Sequence, residues 1–511
     1  MNRRGFIQIS SVAALPILLG IFPRNKGKQV PYKINVRSNR SFGHLLREKA
    51  NVKPTSTLST DFIIVGGGVA GIAAATVLRD QDFLLFEGDD RLGGSSASAS
   101  WKTTEFATGA HYELAYPETF GQEVIALLRE LDIISFNSET ALYEFNDKAY
   151  IISGDEMEQC FNGELLLSEV MEAAEGIQDF NKALKPFIGQ MHLPTRLIGE
   201  EYQYLNALSF KDFLEGQFDL SADLSQRISY QMLDDWGAQI DEVSALAGIH
   251  YYTCRPYNTK DVELFSAPNG NAYFTEKMIG LLSNPEAFVT NTFVRSVRET
   301  ADGVEAEVLN KNGSIQLVKA KGLIYAGQKH ALKYILAQEE SRFQNSYAPW
   351  LVLNIVCRKG VDFEKWQNDI ITPELQFLGF INSSKQHARP SEFDVFTAYY
   401  CFKEEDRGKL VEIEKNPDEF VAGTIALIEE ETGTALSDFV AYVNVNVLGH
   451  AMPIAKPGYL SFNDVPSFSD RIVYAGVDTG RLPLFFEACD SGLQAGEKIL
   501  NNITKNKANE L

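Results

Sequence analysis

Apolar positions fall in short continuous runs near both ends of the chain and in alternating runs between them. Asp61-Phe62-Ile63-Ile64-Val65 is a run of strand length, and Gly66-Gly67-Gly68-Val69-Ala70-Gly71 follows at once. Ile72 to Leu78 is rich in alanine and reads as a helix, after which Phe83-Leu84-Leu85-Phe86 forms a second apolar run closed by Glu87. Continuous runs of this kind suit parallel strands buried on both faces. From Val294 the pattern turns to alternation, with a turn at Ala301-Asp302-Gly303, a return strand Val304–Val308 and a hairpin turn at Asn312-Gly313. Gly322-Leu323-Ile324-Tyr325-Ala326-Gly327 and Arg471-Ile472-Val473-Tyr474-Ala475-Gly476 resume the continuous style. The prediction is an α/β fold with a parallel sheet and a β-meander.

The first unit has the order strand, glycine turn, helix, strand, acid, and each part has a physical task. Gly66 permits the tight turn, Gly68 lets the backbone approach a pyrophosphate, and Gly71 lets helix and strand pack closely. The helix start at Val69 and Ala70 offers unpaired N–H groups and the positive end of a dipole to phosphates. Glu87 is placed to accept hydrogen bonds from ribose hydroxyls. This is a Rossmann-like dinucleotide site, and no second glycine fingerprint follows any other strand, so a dedicated nicotinamide site is not expected.

Charge and the chain start modify the picture. A net charge of −21 disfavours nucleic acid as a partner and favours cations. The five cysteines show no metal-ligand spacing, so no metal is expected and the thiols are read as buried. Arg3 and Arg4 precede Gly5-Phe6-Ile7 and a short apolar run from Val12 to Phe22. That pattern is similar to a twin-arginine export signal. It implies the twin-arginine machinery as a partner, a periplasmic or exported location, and a membrane tether if the signal stays uncleaved.

After Glu87-Gly88-Asp89 comes Asp90-Arg91-Leu92-Gly93-Gly94-Ser95-Ser96. Together with the fingerprint and the closing segment Ala475-Gly476-Val477-Asp478 to Phe485-Phe486-Glu487, it resembles the flavin amine oxidase superfamily, which includes monoamine and polyamine oxidases, protoporphyrinogen oxidase and the phytoene desaturase relatives. The resemblance implies FAD, held noncovalently because no cysteine stands at an attachment motif. It implies that Arg91, Gly93, Gly94, Ser95 and Gly476 contact the cofactor, that the Val294 backbone meets the adenine, that Asp478 holds the ribityl chain, and that the helix near Glu487 faces the flavin pyrimidine. It divides the chain into an export signal at 1–28, a linker or clasp at 29–56, an FAD domain at 57–115, 285–335 and 460–505, and a tail at 506–511. The insertions at 116–284, mostly helical, and 336–459, richer in strands, are expected to form an α+β substrate domain.

Three residues are candidates for chemistry. His111, in Gly109-Ala110-His111-Tyr112, follows the arginine–glycine loop and can orient substrate or shuttle a proton. Phe485 falls where relatives carry an aromatic wall. Many relatives hold a lysine beside the flavin, but Pro349–Val356 contains none, and Asn354 is its polar residue. The expected function is flavin-dependent oxidation of a small organic molecule, an amine or polyamine being the specific expectation, with electrons passing to oxygen or a quinone-type carrier. A C–C desaturase or porphyrinogen-type oxidase, and a flavin-binding accessory protein without turnover, are the alternatives.

Overall fold

The computed structural model describes residues 30–509, apart from 48–52, 154–156, 162–163, 166–170, 172–173, 255–262, 337, 339–341, 362, 364, 372–375, 387–390 and 464. The expected export signal therefore lies outside the described residues.

The apolar runs form the parallel sheet they predict. Strand β1 (Phe62–Val65) leads into helix α1 (Val69–Val77) and β2 (Phe83–Phe86), and β3 (Phe288–Val289), β4 (Gly322–Tyr325) and β5 (Ile472–Tyr474) complete it. The order is β3-β2-β1-β4-β5, all parallel. Ile63 and Ile64 point to opposite faces of the central strand and are both fully buried, which is why a continuous apolar run was needed. Each contributes roughly 1.5–3 kcal/mol relative to exposure.

Helix α2 (Phe485–Asn509) lies against α1. Two glycines one turn apart permit this: a Cβ on Gly492 would sit 2.2 Å from the Ala70 carbonyl oxygen, and one on Gly496 would sit 2.7 Å from Val77 Cβ. The alanines of α1 supply the matching flat surface.

The meander is Thr292–Thr300, Gly303–Asn310 and Ile315–Ala320, extended by Ser56–Ser59 pairing parallel to the last strand. The insertions, joined by Lys33–Arg37 from the N-terminal stretch, build an eight-stranded sheet in the order Lys33–Arg37, Val440–Pro453, Tyr347–Arg358, Phe393–Cys401, Phe377–Asn382, Gln367–Ile371, Met157–Phe161, Glu164–Leu165. Helices Phe210–Glu215, Ala222–Trp236 and Ala245–Cys254 gather around a separate apolar core.

Two differences from the sequence reading stand out. The stretch read as linker or clasp supplies Lys33–Arg37 as an edge strand, ordered by pairing with Tyr442–Asn446 rather than by its own weak pattern. The mostly helical first insertion also donates Met157–Phe161 to the large sheet, through parallel pairing with Gln367–Ile371. No helix among the described residues is long and apolar enough to cross a membrane.

Candidate functional site

The turn after β1 is built by its glycines. Gly66 has φ of +101°, and a Cβ there would lie 2.9 Å from the Gly327 nitrogen. A Cβ on Gly71 would lie 1.9 Å from the Gly66 carbonyl oxygen, so the turn and the helix can close only with glycine. Gly68 differs: it is extended (φ −76°, ψ −176°), it begins α1 without a side-chain cap, and a Cβ on it would meet nothing within 4 Å. Open space therefore faces the uncapped N–H groups of a nine-residue helix, the place a phosphate would take.

The second glycine loop closes over the first. The Gly93 N–H donates to the Gly67 carbonyl at 2.8 Å, and Gly93 and Gly94 both have positive φ. Arg91 donates to the Ser98 carbonyl and, at 3.1 Å, to Thr108 Oγ1, while its Nε is buried without a hydrogen-bond partner. A buried guanidinium nitrogen left without an acceptor fits an anionic group at this place. Glu87 accepts from the Gly67 N–H at 2.6 Å and the Asp89 N–H at 2.7 Å, and burial raises its pKa. A carboxylate has about four acceptor positions, so ribose hydroxyls still find room on it. Phe293 lies over Gly88, where a Cβ would come within 2.3 Å of its ring. Val294 is buried beside it, at a bulge in the meander. Arg37 reaches from the N-terminal edge strand to Asp89 and Asp90, at 2.9 and 2.7 Å, and pins the loop after Gly88. These groups fit a dinucleotide such as FAD: Val69, Ala70 and Arg91 would hold its pyrophosphate and Glu87 its ribose.

In the closing segment Asp478 is hydrogen-bonded within the protein. Its Oδ2 accepts from the Lys329 N–H at 2.7 Å and the Tyr347 hydroxyl at 2.9 Å, and its Oδ1 from Lys329 Nζ at 3.1 Å. Most of its acceptor capacity is used inside the protein, and its neighbour Val477, not Asp478, lines the cavity described below. Glu487 is likewise turned inward. It accepts from the Thr195 N–H at 2.6 Å and faces Arg481 at 3.3 Å, while Asp490 binds Arg196 through both oxygens at 2.9 Å and Arg481 at 2.6 Å. This buried ion network fixes the first turns of α2, at the end that Phe485 presents to the cavity.

A cavity of about 280 Å³ is lined by Val69 and Ser95, by His111, Val477 and Phe485, and by residues of both insertions. Its lining also includes Glu113, Tyr230, Asp234, Asp235, Trp350, Asp369 and Tyr399. His111 is fully enclosed, and burial pushes its pKa down to about 4, so it is neutral near pH 7. Its Nδ1 lies 2.6 Å from the Tyr399 hydroxyl and its Nε2 3.1 Å from Ser383 Oγ. Burial, with the Asp234 charge adding, holds the Tyr399 phenol well above its usual pKa.

Of the three chemical candidates, His111 and Phe485 line the cavity and Asn354 does not. Asn354 is fully buried, donating to the Ala107 carbonyl at 2.8 Å and to Thr397 at 3.1 Å and accepting from Asn444 at 3.1 Å. Trp350 and Val352, on the same face of its strand, reach the cavity instead. His250 also lines the cavity, while its neighbours Tyr251 and Tyr252 belong to the helical core. Cys254 also lines the cavity, while Cys357, Cys401 and Cys489 are buried free thiols.

Sequence reasoning passed over Asp234, Asp235, Asp369 and Tyr399. One signal was present: Asp234 and Asp235 sit in the last turn of helix Ala222–Trp236, where the dipole disfavours negative charge. A local violation of that kind marks a functional constraint more often than a stabilising one.

Comparison with known proteins agrees with the architecture. Residues 64–131 match the model of an NAD(P)-binding Rossmann-like domain. No curated protein matches the sequence. Among solved structures the chain is similar to cyclohexylamine oxidase from Brevibacterium oxydans IH-35A, with 15% identity, a TM-score of 0.61, and 88% of this chain and 99% of the other covered. It is similar to a wild-type putrescine oxidase bound to putrescine, with 14% identity, a TM-score of 0.57, and coverage of 87% and 100%. It is also similar to a protein described as a protoporphyrinogen oxidase from Exiguobacterium sp. 255-15, with 15% identity, a TM-score of 0.57, and coverage of 88% and 99%. At such identities the likeness establishes a shared fold: a Rossmann-like domain joined to a second domain, as in these oxidases.

Proposed function

We propose that this chain is an FAD-dependent oxidoreductase that oxidises a small organic amine. One observation carries the reading: a single cavity that reaches the phosphate site at Val69 and Ser95 is also lined by four carboxylates, Glu113, Asp234, Asp235 and Asp369. Carboxylates in an otherwise apolar, aromatic cavity favour a cationic ligand, and a protonated amine is the small organic cation that suits them. A bound flavin would accept a hydride from the carbon beside the amine nitrogen. The protein's own share is to place that carbon, exclude water with Trp350, Phe485 and Leu484, and hold the cationic end. The structural likeness to oxidases of cyclohexylamine and putrescine supports this choice.

The test is anaerobic addition of putrescine or cyclohexylamine to the FAD-loaded protein. Bleaching of the oxidised flavin band is the expected result. If neither amine bleaches it while a porphyrinogen or a polyene does, the C–C oxidation reading takes its place. If nothing bleaches it, the chain is a flavin-binding protein without turnover. The proposal includes noncovalent FAD, oxygen or a quinone as final acceptor, and export directed by Arg3 and Arg4. For export, the double change Arg3→Lys with Arg4→Lys leaves the protein in the cytoplasm, and unaltered recovery outside it would remove that claim.

A further inference from the structure

His111, Tyr399, Ser383 and the Gly109 carbonyl form a hydrogen-bonded chain whose direction follows from donor and acceptor counting. The Tyr399 hydroxyl has one proton, and the Gly109 carbonyl oxygen, 2.9 Å away, can only accept. If Tyr399 donated to His111 instead, two oxygen lone pairs would face each other at that distance. The Gly109 carbonyl also stands within hydrogen-bond reach of His111, and the arrangement in which no two acceptors face each other has Tyr399 donating to Gly109 and Nδ1 carrying the imidazole proton. His111 Nδ1–H then donates to Tyr399 across 2.6 Å, and the Ser383 hydroxyl donates to His111 Nε2 across 3.1 Å. A neutral imidazole has one donor and one acceptor nitrogen, so this assignment is self-consistent.

The consequence falls on Tyr399, the member of the chain whose hydroxyl is committed as a donor. One lone pair takes the His111 proton, and the remaining lone pair is what Tyr399 offers to the cavity it lines. We propose that Tyr399 is a specificity-determining hydrogen-bond acceptor, oriented by His111, that selects substrates presenting an N–H or O–H donor and rejects those presenting only a carbonyl or ether oxygen. The inference rests on the oxidoreductase reading and makes it narrower. His111 is then a positioning residue, because it acts on substrate through Tyr399.

Two measurements on the full chain test it. The first is the ¹⁵N spectrum of histidine-labelled protein, with His111→Asn used to assign the signal. The expected result is His111 protonated on Nδ1, and protonation on Nε2 would overturn the proposal, because Tyr399 would then point its proton at His111. The second is binding and flavin reduction in FAD-loaded Tyr399→Phe. Apparent affinity for cyclohexylamine should fall roughly ten-fold, by more than the limiting rate of reduction falls, with binding of cyclohexanone unchanged. His111→Asn, which keeps an N–H near Nδ1, should retain most of the affinity that His111→Ala loses. Equal loss for amine and ketone would overturn the acceptor role. If the unaltered protein is reduced by no amine, the functional reading fails, and the imidazole tautomer still decides this inference separately.

Discussion

Replacing Gly68 with valine separates the binding role of the glycine turn from its folding role. Gly68 is extended, so any residue adopts its backbone conformation, and a Cβ there meets nothing within 4 Å. The protein should therefore accept the substitution at a cost of about 0.5–1 kcal/mol, the loss of a tolerated cap residue at a helix start. The valine methyls would fill the space before the Val69 and Ala70 N–H groups, where a phosphate would sit. Two hydrogen bonds to a charged group, at roughly 1.5–3 kcal/mol each, would be lost, which weakens FAD by about 10² to 10⁴-fold. Gly71→Val is the contrasting case, since its Cβ would lie 1.9 Å from the Gly66 oxygen and folding itself should fail. The assay is fluorescence titration of the apoprotein with FAD, beside thermal unfolding followed by circular dichroism. A folded Gly68→Val protein with normal FAD affinity would refute the reasoning, and so would a well-folded Gly71→Val protein.

Other outcomes follow from the buried charges. Asp478→Asn should destabilise the fold by about 3 kcal/mol, because Lys329 would lose its counter-charge, and pairing it with Lys329→Met should recover most of that. Flavin loss without loss of stability would instead return the ribityl role to Asp478. Asp490→Ala should cost about 3–5 kcal/mol in urea unfolding, since Arg481 and Arg196 share that carboxylate, and an effect below 1 kcal/mol would mean that water replaces it. His111 has a folded pKa of about 4 against an ordinary 6.5, so the unfolded chain binds its proton first as pH falls. Its contribution is whole above pH 6.5 and is lost as pH drops toward 4, by about 3 kcal/mol in all. The stability–pH slope in that window should be shallower in His111→Asn, and an unchanged slope would contradict the neutral, buried imidazole.

The parts of the fold that were legible are those where local pattern and local geometry coincide. β1, the glycine turn, α1 and β2 are contiguous, and the constraints on Gly66 and Gly71 are set by atoms within the same unit or by Ala326 and Gly327 just after β4. The meander was legible because one face of its strands is buried and the turn residues mark its corners. The edge strand Lys33–Arg37 was not, because a polar stretch becomes a strand only when a partner such as Tyr442–Asn446 is present. Asp478 and Glu487 show a different limit. Their positions were readable, but their partners, Lys329 and Arg481, are set by tertiary packing. Tyr399 gave no signal, since an aromatic residue in Val395-Phe396-Thr397-Ala398-Tyr399-Tyr400 already fits a strand on propensity alone.

The proposed noncovalent FAD would occupy the glycine loops and the cavity beside them. An absorbance spectrum of the purified full chain, taken before and after heat release, tests it directly. Flavin bands that leave with the supernatant and match FAD are the predicted result. A colourless protein that takes up no FAD on reconstitution would contradict the account.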